Sequence, residues 1–177
     1  MVKKLVLGSV VGGLIVFGWG AVSWMMLPWH AAALHAFTNE AAVGTAIRAN
    51  APKPGVYFMP SHHGGGGTKP AKGPSMFAVI RLTSVDPADS AYYLRGLLTE
   101  VVGAGFMSLL LLSLPGLGYG ARVRTVVLVA LVAGALTRLP DWNWWGFSTG
   151  FTLLAFLDLA IGWFLAGLVI ATLVHPD

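Results

Sequence analysis

The stretch Trp19–Glu40, WGAVSWMMLPWHAAALHAFTNE, decides how the chain is read, because it is where an unbroken apolar run gives way to polar sequence. Before it, Leu5 to Leu27 carries no charged residue, and its 23 residues at about 1.5 Å each reach roughly 35 Å, enough to cross a hydrocarbon core of about 30 Å. Pro28 ends the run. A secretory leader is the competing reading, since Lys3 and Lys4 precede the run and Ala21-Val22-Ser23 resembles a cleavage site. The run exceeds the roughly 7–15 residues of a leader's apolar core. An uncleaved first span is therefore expected.

Three more apolar runs follow, at 87–114, 122–139 and 147–174. Composition points the same way: 56% of the 177 residues are hydrophobic and 10% are charged, against about 25% charged in soluble domains. The expected fold is an all-α integral membrane bundle of four transmembrane helices, with a small α+β insert over 28–86 between the first and second.

Within the insert, Thr38 or Asn39 is placed to cap a short helix over 39–50, with Glu40 in its first turn and Arg48 in its last. Residues 55–59 and 75–82 carry the β-branched and aromatic residues of strands and flank a Gly- and Pro-rich loop. Asp86-Pro87-Ala88-Asp89 reads as a helix start with Asp86 as cap and Pro87 at the first helical position. Pro140 to Gly146 reads as an aromatic connection between the third and fourth spans. A lone hairpin is marginal in water, so it is expected to rest on the short helix, the membrane face or a partner.

Orientation follows from the basic residues nearest the span ends. Lys3, Lys4, Arg122 and Arg124 fall on one side, which the positive-inside rule makes the cytoplasm. Arg48, Lys53, Lys69, Lys72, Arg81, Arg95 and Arg138 fall on the other side, but most belong to the insert, whose length approaches the limit of that rule. Trp24, Trp29, Tyr92, Tyr93, Trp142, Trp144 and Trp145 gather at the opposite boundary. Both termini are expected in the cytoplasm and the insert outside it, in a bacterial cytoplasmic membrane.

The net charge of +4 comes from scattered basic residues rather than a patch, so no nucleic-acid partner is expected. The absence of cysteine rules out structural disulfides, thiol catalysis and thiolate-held clusters. No phosphate-loop or nucleophile-elbow motif is present, and enzymatic activity is not expected.

Three ionisable residues inside the apolar runs are the first site candidates: Glu100, Asp158 and Arg138. A charged group inside a membrane helix costs about 2.5–3.5 kcal/mol on insertion scales and normally faces protein or water. Glu100 falls near one helical stripe with Gly96, Gly103 and Met107, and Asp158 near another with Gly150, Gly162 and Ala166, so both acids lie on faces that carry small residues. Arg138 lies at a level where it can pair with either acid. The functional reading is an ion or proton site; the plainer one is an ion pair that fixes packing.

Four histidines form the second constellation. His30 and His35 are five apart, which places them about 140° round a helix rather than on one face, and His62-His63 stands beside four glycines. Copper or zinc held by His30, His35, His62 and His63 is one reading; interfacial imidazoles among lipid headgroups and Trp rings is the other. No organic cofactor is expected. Gly8-x3-Gly12 and Gly146-x3-Gly150 offer close helix contacts. Expected partners are membrane lipids and other membrane subunits, in the role of an accessory or assembly subunit.

Overall fold

The computed structural model describes residues 1–60, 73–84 and 86–175. Element order is α1 (Val2–Met25), α2 (Trp29–Ala33), α3 (Glu40–Asn50), β1 (Gly55–Met59), β2 (Met76–Ile80), α4 (Ser90–Leu112), α5 (Tyr119–Trp145) and α6 (Thr149–Leu173). Among the described residues, α1, α4, α5 and α6 are long and apolar enough to cross a membrane. These four are the helices of a multi-pass membrane protein.

The long helices form an open row rather than a closed bundle. α1 packs against both α4 and α6, and α6 against α1 and α5, while α4 and α5 scarcely meet. Small residues set this order by letting backbones approach. A Cβ on Gly8 would meet Ser108 and Val174, and one on Gly12 would lie 2.5 Å from Ile170, so α1 seats itself between α4 and α6. Gly167 brings α6 onto Val126 of α5, and Gly134 brings α5 onto Phe156. The apolar core lies toward the ends of α1 and α6 that carry the chain termini, where Leu111, Val126, Ile170 and Val174 are fully buried. Arg122 fastens that end by donating from Nε to the Ala171 carbonyl at 2.9 Å and from Nη1 to that of Leu117 at 2.6 Å.

Because α4 and α5 diverge, a groove of about 280 Å³ opens between them. Gly103, Phe106 and Leu110 form one wall, Val129 and Ala133 the other, and Trp163 of α6 the floor.

At the opposite end of the row the boundaries differ from the sequence expectation in three places, each for a local reason. Asp86 does not cap α4. Its carboxylate accepts from Ala88 N at 2.8 Å in a turn that also bonds Asp89 N to Asp86 O, so Pro87 stands in that turn. Asp89 is the cap, accepting from Ala91 N at 2.9 Å, and the helix begins at Ser90. Second, Pro140 does not end α5, which continues to Trp145. A proline removes one donor, here that for the Leu136 carbonyl, and the turn beyond it is held by other bonds. Arg138 reaches Asp141 at 3.8 Å, and Trp142 Nε1 donates to Thr149 Oγ1 at 3.2 Å. Gly146 then stops the helix in the left-handed conformation, φ 75°, which suits glycine at that position. Its partner in the expected GxxxG pair, Gly150, faces no neighbouring atom within 4 Å. Third, a short helix, α2, follows Pro28 where none is expected.

α3 is capped by Asn39, which accepts from Ala42 N at 2.9 Å, and buries no residue. The antiparallel strands pair Val56 with Val79 and Phe58 with Phe77. These four side chains share one sheet face, since alternate residues do and directly opposed ones do. The hairpin rests on the end of α5: the Phe77 ring stacks on Trp145 at 4.6 Å and Phe58 meets it edge-on at 6.0 Å.

Candidate functional site

A polar cluster joins α1, α2 and α6 near the hairpin end. It arises because the chain reverses after α1 and α2 lays His30 back over the last turn it has just left. The His30 ring is 3% exposed. Trp24 lies parallel to it at 3.8 Å, and Trp29 closes its edge at 6.0 Å. Its Nε2 lies 3.0 Å from Ser23 Oγ and 3.3 Å from Asp158 Oδ2. The other oxygen of Asp158 accepts from Trp19 Nε1 at 2.7 Å, and Trp29 Nε1 donates to Ser23 Oγ at 3.0 Å.

Hydrogen-bond logic assigns the proton. Ser23 Oγ and Asp158 Oδ2 both offer lone pairs to Nε2, whereas Nδ1 is buried with no partner. The tautomer with hydrogen on Nε2 leaves Nδ1 and the Ser23 hydroxyl hydrogen without partners but gives the carboxylate an N–H; the other would bury an unpaired N–H and point a lone pair at the carboxylate.

Serine, histidine and aspartate together invite comparison with a nucleophilic triad, but the geometry denies it. A triad sets serine and carboxylate on opposite ring nitrogens so that one orients the base for the other. Here both address Nε2, and Ser23 is wholly buried. The arrangement holds helices; it does not activate a hydroxyl.

The three intramembrane ionisable candidates are not brought together. Asp158 pairs with His30, Arg138 with Asp141, and Glu100 on half-buried α4 surface takes part in no ion pair or side-chain hydrogen bond among the described residues. The expected pairing of Arg138 with either acid is replaced by a local i,i+3 contact, because α5 continues past Pro140 and places Asp141 one turn on.

The histidines separate as well. His30 lies inside the protein among Trp rings rather than among headgroups, His35 is exposed beyond α2, and His62 and His63 lie outside the described residues. Among the described residues no three His, Cys, Asp or Glu side chains converge as a metal site. Sequence reasoning missed Ser23, Trp19 and the role of Trp29. For Ser23 and Trp29 the available signal was their closeness to His30 across Pro28, where a chain reversal brings both flanks together; for Trp19, whose partner lies 139 residues on, there was none.

No protein-family model matches the chain, and neither the curated proteins nor the solved structures include one significantly similar to it.

Proposed function

We propose that the protein is a non-catalytic accessory or assembly subunit of a larger membrane complex, with both termini in the cytoplasm and the hairpin presented outside as its docking face. One observation carries this reading. Phe58 and Phe77 are spent on Trp145, yet Val56 and Val79 on the same sheet face remain 64% and 70% exposed. Two β-branched side chains paired across strands, seated on a rigid helix end, form an apolar patch that a partner is suited to cover.

The remaining polar groups fit a structural role. The Trp19–Asp158–His30–Ser23 cluster ties α1, α2 and α6 into a scaffold and leaves both carboxylate oxygens engaged. Ion handling would need Glu100, Asp158 and Arg138 to act together, and their partners lie apart.

The test is a photo-crosslinking residue at position 56 in native membranes. The expected result is a defined adduct with another membrane chain, and a native assembly larger than the monomer in mild detergent. Val79→Asp is expected to abolish both while the protein still accumulates in the membrane. A lone monomer with no adduct would overturn the reading.

A further inference from the structure

Two cavities lie along one face of α4, and their chemistry changes with depth. The outer one, about 520 Å³, is lined by Arg81, Asp86, Asp89, Tyr92, Arg95 and Thr99 among others. Its two guanidinium groups and two carboxylates cancel. Neither arginine is committed to a strong ion pair: Arg95 reaches Asp89 only at 3.9 Å, and exposed Arg81 has no ion-pair partner among the described residues. The inner one is the carbon-lined groove between α4 and α5.

The two are continuous in register. At 100° per residue, Arg95, Thr99, Gly103, Phe106 and Leu110 fall within about 80° of one another on α4. Thr99 in the polar cavity and Gly103 in the apolar one are a single turn apart, about 6 Å along the axis, and Arg95 to Leu110 spans about 22 Å. A balanced set of charges at one end and a narrow apolar slot at the other is the pattern of a lipid with its headgroup uppermost.

We propose that this face of α4 binds one phospholipid whose headgroup is zwitterionic and carries a primary amine. Its phosphate lies against Arg81 and Arg95, its ammonium against Asp86 and Asp89, and one acyl chain enters the groove over Trp163. An anionic lipid with a glycerol headgroup offers the same phosphate to Arg81 and Arg95 but no cation to Asp86 and Asp89. A choline headgroup carries no N–H to give them.

The test uses the full chain in mild detergent, titrated with lipids of matched acyl chains bearing ethanolamine, glycerol or choline headgroups and read by native mass spectrometry. The ethanolamine lipid is expected to be retained about tenfold better than either other, the worth of one charge-assisted hydrogen bond. Arg81→Gln with Arg95→Gln, which removes the contacts to the phosphate that all three lipids share, is expected to weaken retention of all three. Asp86→Asn with Asp89→Asn keeps the turn and the helix cap, since Asn serves both, and is expected to shift the preference toward the glycerol headgroup. Ala133→Phe, which fills the groove, is expected to weaken retention of all three, with thermal unfolding reporting that the bundle is intact. Equal retention of the three lipids, preference for the anionic one in the unaltered chain, or a preference untouched by the aspartate changes would overturn the proposal.

Discussion

His30 on α2 and Asp158 within α6 meet at 3.3 Å, and Trp19 on α1 holds the other carboxylate oxygen at 2.7 Å. Three helices thus converge on one largely enclosed carboxylate, 14% exposed. Removing one partner of such a pair leaves the other desolvated and unpaired, which costs more than the pair itself contributes. His30→Ala and Asp158→Asn are each expected to lower stability by about 2–3 kcal/mol. The double variant is expected to cost little more than the worse single one, a coupling that a double-mutant cycle of unfolding in mild detergent measures.

Trp19→Phe isolates one bond. The ring volume and its packing against Gly162 are largely retained, while the N–H to Asp158 is lost. The expected loss is about 1–3 kcal/mol, and it should shrink sharply in an Asp158→Asn background. Equal losses in both backgrounds would assign the effect to packing alone.

Glu100 predicts the opposite behaviour. With no partner among the described residues to strand, Glu100→Gln is expected to leave thermal stability unchanged or to raise it, because it removes a charge from an apolar helix face. Arg138→Gln is expected to cost under about 1 kcal/mol, since its contact with Asp141 is partly exposed. A large loss at Glu100 would point to a partner beyond this chain.

These contrasts show where the sequence was legible. The long spans could be read because membrane crossing needs only length and apolar composition, and the strand at 55–59 because its residue types favour a pleated surface. Asp158 stood out as a charge in an apolar run. Its partner did not, since pairing depends on the chain reversal at Pro28, and that geometry leaves no periodic trace. Arg138 is available to either acid only if Pro140 ends the helix; because α5 continues, Asp141 lies nearer than both. The α4 start failed similarly, because Asp86-Pro87-Ala88-Asp89 satisfies turn chemistry as well as capping chemistry.

The seat of α1 gives a direct test of helix order. A Cβ on Gly13 would lie 2.6 Å from Val101 Cα and 2.7 Å from its N, so it meets backbone that no rotamer change can clear. Gly13→Ala is expected to force α1 from α4 and cost about 1–3 kcal/mol. Gly18, with no atom within 4 Å of such a Cβ, is the control: Gly18→Ala is expected to be neutral or to gain up to about 1 kcal/mol through helix propensity.

Trp145 decides what holds the hairpin. Its ring is the contact for both Phe58 and Phe77, and a two-stranded sheet has little independent stability. In detergent, Trp145→Ala is expected to accelerate amide exchange across Gly55–Met59 and Met76–Ile80 while leaving α1 and α6 protected. In native membranes a partner seated on Val56 and Val79 would supply a second support, so the same variant should retain much of its protection there. Rapid exchange in both settings would leave Trp145 as the hairpin's anchor and remove the docking role, whereas protection in both would place the anchor on another part of the chain.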